Sequence, residues 1–272
     1  MACRWVCRPG NAGGNDNDTP TTPNPVVPSP WNGQKFGVLT GNHHWWNLMQ
    51  LQRGNNQSMG RLYRGHLNAG KAIHLAGFQE SNDVGIIIRD AQMEGTHAYR
   101  QFGGALAVAW DRSVFGDDVL AAAPRECHKV AEDRPEEYYG WRLLCWVQLR
   151  HQGPGQLVTF TTTHGPLPEN KGGRDGPEAY VNEIMKVVNR IVPDNADDAT
   201  FLMVGDFNNS LHTPAIRGLS ERLDAVPGDF PRHVFKLDFH FTSRGAYKSG
   251  RGANIGRGGS DHPQMWANIE LI

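Results

Sequence analysis

Apolar runs with no polar alternation constrain this chain more than any other feature. GALAVAW (104–110), WRLLCWVQL (141–149) and FLMVGDF (201–207) read as strands largely apolar on both faces, so both faces need cover, and QLVTFTTTH (156–164) reads as a fourth strand. QKFGVLTGN (34–42), GKAIHLAGFQE (70–80), VFKLDFHFTS (234–243) and QMWANIEL (264–271) are further strand-like segments. HQGPG (151–155) joins two of the runs as a hairpin turn. DVGIIIRDAQ (83–92) suits a strand or a short helix, and residues 47–69 are polar and partly helical. The clearest helix lies between Pro177 and Pro193, where Tyr180, Val181, Ile184, Val187, Val188 and Ile191 recur at helical spacing. Strands outnumber helices, which predicts an α+β arrangement of stacked sheets with helices outside.

Residues 1–33 contrast with this. Pro, Gly, Asn, Asp and Thr dominate them and leave little to bury, so they read as a disordered or extended leader. Residues 34–272 are then one domain. The net charge of −1 neither supports nor excludes a nucleic-acid partner. No apolar run reaches the length of a transmembrane helix, and no apolar segment of the signal-peptide type follows Arg4 and Arg8. Cys3 and Cys7 lack the second ligand pair of a zinc site. Cys127 and Cys145 flank EDRPEEYYG (132–140); a hairpin centred near Glu136 brings them face to face, as a disulfide or as two buried thiols.

Several strands finish on a polar side chain: Asn42, Glu80, His164, and the pair Asp206 and Asn208. Asp238 lies inside an apolar strand, and Asp261-His262 precedes the last one. Singly, most of these suit helix caps or turns. Asp238 does not, because a buried carboxylate needs a partner, and His262 is a candidate. Together they form a set of carboxylates, imidazoles and amides that a rigid sheet can gather at one rim. Imidazoles suit acid–base work near neutral pH.

GFQE, TTTHGPL, VGDFNNS, KLDFHFTS and GSDHPQM, in that order, resemble the endonuclease/exonuclease/phosphatase superfamily, the deoxyribonuclease I-like fold. The resemblance spans roughly residues 34–272 and implies a four-layered α/β sandwich, with two mixed β-sheets face to face and outer helices. It implies metal-dependent phosphoester hydrolysis. On this resemblance Glu80, Asp261 and Asn42 are the metal residues, and their oxygen ligands suit Mg2+, with Mn2+ or Ca2+ as alternatives, and not zinc. Asp206 and Asn208 contact the phosphate, a metal or the nucleophile. His164 and His262 are catalytic, Asp238 orients His262, and Arg142 contacts phosphate. Ser260 reads as a turn residue.

The superfamily takes DNA, RNA, lipid and small phosphoesters, and fold does not choose among them. Arg244, Lys248, Arg251 and Arg257, with Tyr247, lie in SRGAYKSGRGANIGRGG (243–259), which reads as a flexible glycine-rich loop able to track a phosphate backbone. Lys171 and Arg174 add to it. The expected protein is a monomeric, weakly sequence-specific endonuclease on DNA, with RNA second. A sphingomyelinase-like or small-molecule phosphodiesterase is the alternative, for which GNHHWWNLM (41–49) offers an apolar patch, although Trp45 and Trp46 suit core packing as well. The Pro/Thr-rich leader and the superfamily's habit tip the compartment toward export, against the missing signal segment.

Overall fold

The computed structural model describes residues 31, 33–44, 59–118, 127–133, 140–153, 155–167, 176–191, 199–210, 213–220, 223–229 and 237–272. Most of the leader, Trp45, Trp46, Glu136, Lys171, Arg174 and His212 lie outside them. Among the described residues the strands are β1 (Lys35–Asn42), β2 (Leu75–Gln79), β3 (His97–Gln101), β4 (Ala107–Asp111), β5 (Phe115–Asp118), β6 (Cys127–Glu132), β7 (Trp141–His151), β8 (Leu157–His164), β9 (Ala199–Asp206), β10 (Leu223–Ala225), β11 (Gly228–Asp229), β12 (Asp238–Ser243), β13 (Tyr247–Gly256) and β14 (Gln264–Leu271). The helices are α1 (Met59–Asn68), α2 (Val84–Asp90), α3 (Pro177–Ile191) and α4 (Pro214–Leu219).

The apolar runs stack as two mixed sheets. One has the order β11-β13-β14-β1-β2-β4-β3; the other runs β10-β12-β9-β8-β7-β5, with β6 also on β7. Their facing sides share a core that includes Phe36, Val38, Leu75 and Val108 from one sheet and Val147, Phe160, Leu202 and Val204 from the other. The outer face of the first sheet is covered by α1 and α2, through Met59, Tyr63, Val84 and Ile88. The outer face of the second is covered by α3 and α4, through Tyr180, Ile184, Val188 and Ile216. The result is the expected four-layered α/β sandwich.

DVGIIIRDAQ resolves as α2, because Val84, Ile87 and Ile88 share one buried face. The sheets approach closely at Gly77, where a Cβ would stand 2.3 Å from Val204 Cγ2. Trp31, within the segment read as leader, is buried in the inter-sheet core, and its Nε1 donates to Thr200 Oγ1 at 3.1 Å. Cys127 and Cys145 occupy paired registers of β6 and β7 and form a disulfide.

The glycine-rich stretch is the main departure from the sequence reading. Residues 247–256 are not a loop but β13, paired along its length with β14. Backbone hydrogen bonding needs no apolar side chain, so a Gly- and Arg-rich segment forms a strand once a neighbour offers its ladder.

Three histidines sit where charge is costly. Burial pushes the pKa of His43 down to about 3 and of His240 down to about 4, and burial with the Lys71 charge takes His66 to about 4. The unfolded chain takes up protons at these rings below about pH 6.5. The folded chain does not until about pH 4, so stability is lost as pH falls through that window. Scanning calorimetry from pH 7 to 4 is expected to show a falling melting temperature, with a shallower fall in His240→Gln.

Candidate active site

Topology gathers the polar strand ends. β1 and β2 run parallel, as do β8 and β9, so Asn42 pairs in register with Gln79, and His164 with Asp206. β12 runs antiparallel to β9 and starts at Asp238, opposite Asp206. The two sheets therefore bring their ends to one rim. Beneath it Gln79 Nε2 donates to Thr162 Oγ1 of the other sheet at 2.8 Å, while Thr40 Oγ1 donates to Gln79 Oε1 at 3.4 Å.

Asn42 is the hub. Its Nδ2 donates to Glu80 Oε1 at 3.0 Å and to Asp206 Oδ2 at 2.9 Å, and its Oδ1 accepts from the His44 backbone N–H at 2.9 Å. Asn42 thus presents a donor to two carboxylates, and its side-chain oxygen is engaged elsewhere. Its carbonyl accepts from Ser260 Oγ at 2.7 Å and from Gln264 Nε2 at 2.9 Å. Gln264 Oε1 in turn accepts from Tyr63 OH at 2.8 Å, and His43 Nε2 meets that hydroxyl at 2.9 Å. Ser260 also accepts from the His262 backbone N–H at 3.0 Å, so the turn at 260–262 is tied to the end of β1. Asp206 Oδ1 accepts from the Asn208 N–H at 2.8 Å, and Asn208 Nδ2 donates to Gly165 O at 3.0 Å. Glu80 and Asn208 hold φ values of 51° and 50°, a left-handed conformation that costs energy away from glycine.

The two rim imidazoles have opposite surroundings. His262 Nδ1 meets Asp238 Oδ2 at 3.0 Å, and its Nε2 stands 3.6 Å from Asp206 Oδ2. Burial opposes a charge on this ring, but the Asp238 hydrogen bond and the charges of Asp206, Asp238 and Asp261 outweigh it and raise its pKa well above 6.5. Burial, with Asp206, raises Asp238 in turn. His164 Nδ1 faces Arg142 Nη1 at 3.1 Å; its Nε2 lies 3.6 Å from Asp206 Oδ2 and 3.8 Å from Glu80 Oε1. Burial, then the Arg142 charge, pushes its pKa down to about 3, against the pull of Asp206. The surroundings thus favour the charged form of His262 and the neutral form of His164.

Other candidates stand apart from this cluster. Asp261 is at the outer edge, its side chain 61% exposed, with Oδ1 3.5 Å from His44 Nδ1. Arg142 is buried and turned to His164 and to Asp133, whose Oδ2 accepts from Arg142 Nε at 2.6 Å. Only the Gly256 end of β13 reaches the rim, through its pairing with Gln264. Lys248 lies about 25 Å along the strand from that end and pairs with Glu270 Oε1 at 2.8 Å; Arg251 lies about 16 Å away. Arg257, exposed in the turn before Ser260, is the basic residue of that stretch that stays near the rim.

Asp206, Asp238 and His262 each offer a ligand atom within 4.8 Å of the others. This trio differs from the expected Glu80, Asp261 and Asn42. The 3.0 Å His262–Asp238 contact is a hydrogen bond, so the trio holds a proton, and Glu80 and Asp206 are the carboxylates whose oxygens flank the Asn42 amide. Sequence reasoning missed Gln79, Tyr63, Asp133 and Gln264. The signal for Gln79 and Gln264 is an amide flanked by strand residues.

No family model matches the chain, and no curated protein does. Solved structures do. An endonuclease/exonuclease/phosphatase family protein from Bacteroides thetaiotaomicron aligns with a TM-score of 0.65 over 88% of this chain and 99% of that one, at 14% identity. A mannosyl-6-phosphatase from the same species gives 0.61 over 87% and 99%, at 15% identity. D. rerio TDP2 complexed with single-strand DNA product gives 0.57 over 87% and 99%, at 14% identity. The chain has the deoxyribonuclease I-like fold of these proteins.

Asp238→Asn removes the charge that holds His262 protonated. Its imidazole is expected to titrate above 6.5 in the wild type and to move down by at least one unit in the variant, followed by NMR. An unmoved titration would break the assigned pairing.

Proposed function

We propose that this protein hydrolyses phosphodiesters with a divalent cation, and that its substrate is a nucleic acid, DNA before RNA, cut with little sequence preference. The observation that carries the reading is the rim itself: Glu80, Asp206 and Asp238, with Asn42 and Asn208, beside one neutral and one cationic imidazole. The donor set fits a hard cation. Glu80 and Asp206 crowd one amide nitrogen, and Asp238 Oδ1 is buried without a hydrogen-bond partner, so the cluster is rich in carboxylate oxygen. Glu80 would hold Mg2+, with Asp261 at the outer edge. A cation there supplies positive charge to the oxygens of a phosphoester.

The chain's own residues account for the rest. His262 keeps its proton through Asp238 and is placed to give one to a phosphoryl or leaving oxygen. Asp206, fixed by Asn42 and by the Asn208 N–H, is placed to take the proton of an attacking water. Asn208 ties the turn after β9 to the end of β8, where Asp206 stands in register with His164. The engagement of Asn42 with both carboxylates makes it a spacer for them.

A nucleic acid is favoured by what flanks the rim. Trp141, at the start of β7, is 63% exposed and is an aromatic suited to a stacked base; Lys129 Nζ, paired with Glu132 Oε2, lies 4.9 Å from its ring centroid. Arg257 adds a cation on the opposite flank. A structural neighbour complexed with single-strand DNA product agrees with this reading. The placement of Lys248 and Arg251 away from the rim favours a second reading, a small phosphoester, as the mannosyl-6-phosphatase neighbour's name suggests.

Supercoiled plasmid is expected to be nicked with Mg2+, not to be nicked with EDTA, and to be nicked at least about 100-fold more slowly by His262→Ala. Folded protein that leaves plasmid intact yet releases phosphate from mannose 6-phosphate would replace the first reading with the second.

A further inference from the structure

Arg142 does not face the cleft. Its side chain opens β7 and lies buried between two groups: Nε donates to Asp133 Oδ2 at 2.6 Å, and Nη1 stands 3.1 Å from His164 Nδ1. A guanidinium has only donors, so Nδ1 of His164 must accept. The single proton of the neutral ring is then on Nε2. That nitrogen is 3.6 Å from Asp206 Oδ2 and 3.8 Å from Glu80 Oε1, too far to bond either. Neither carboxylate therefore takes up its N–H. Across the rim the arrangement is reversed, because a carboxylate stands behind Nδ1 of His262. A carboxylate there draws a proton to Nδ1, and a guanidinium drives it off.

We infer that Asp133 and Arg142 are a positioning pair that locks His164 as a fixed Nε2–H donor toward a substrate oxygen, and so bars it from acting as a base. The division of labour between the two imidazoles is set by the sign of the group behind each. Asp133 has its own part. It accepts from Nε, orients the guanidinium plane and balances its buried charge, so that Nη1 meets the ring. The role assigned to the donor rests on the phosphodiester reading above; the tautomer does not.

The experiment is long-range 1H–15N correlation of the imidazoles in the full chain labelled with 15N-histidine at neutral pH. His164 is identified by the signal lost in His164→Gln. The wild type is expected to show the Nε2–H form of His164 alone. The double variant Arg142→Met/Asp133→Asn removes both charges of the pair, and in it the Nδ1–H form is expected to appear. In the same variant kcat on a dinucleotide phosphodiester is expected to fall on the order of tenfold or more, with KM within about threefold. Arg142→Lys, which keeps a donor near Nδ1, is expected to recover part of both. Nδ1–H in the wild type overturns the inference outright, whether or not any variant folds. A shifted tautomer with unchanged kcat overturns the positioning role. A wild type with the Nε2–H form that hydrolyses no phosphoester leaves the lock standing and removes the function proposed for the rim.

Discussion

One amide nitrogen holds a carboxylate of each sheet. Nδ2 of Asn42 donates to Glu80, which follows β2, and to Asp206, which ends β9 in the other sheet. Two carboxylates this close repel each other, and burial of Asp206 deepens the penalty. A shared donor relieves part of it and fixes their separation. Asn42 holds this position only because its own carbonyl is pinned by Ser260 and Gln264, and because the sheets are drawn together below it by Gln79, Thr162 and the contact at Gly77. The apolar core sets the sheet spacing; these amides convert that spacing into a geometry of charges.

The rim holds one residue type in two settings. His164 and His262 stand near the same oxygen of Asp206, at 3.6 Å each. Their difference comes from the residues behind them. Arg142 reaches His164 from β7, next to β8 in the same sheet, and Asp238 reaches His262 from the start of β12. Sheet order, set by packing far from the rim, therefore decides which charge stands behind each ring.

Much of this was legible in the sequence because strand ends are local. An apolar run that stops on Asn42, Glu80, His164 or Asp206 shows where each side chain surfaces, and two parallel strand pairs suffice to aim these ends one way. The conspicuous helix was legible from its stripe alone. What needed the structure was pairing. Arg142 was readable as a residue near the rim, but its direction depends on Asp133, brought beside it by the register of β6 against β7. The Gly- and Arg-rich stretch looked like a loop because composition does not reveal that β14 offers it a ladder. Lys248 and Arg251 were drawn to the rim by sequence proximity to Ser260, although a strand carries its residues away from its end at about 3.3 Å each.

The disulfide between Cys127 and Cys145 joins the strand that leads to Asp133 with the strand that carries Arg142. β6 is an edge strand with β7 as its partner, so this covalent link is what makes the register of the two independent of local fraying. Such links persist where the surroundings are oxidising and are lost where thiols are kept reduced. One cystine thus lies in the same strand pair as the carboxylate and the guanidinium that stand behind His164.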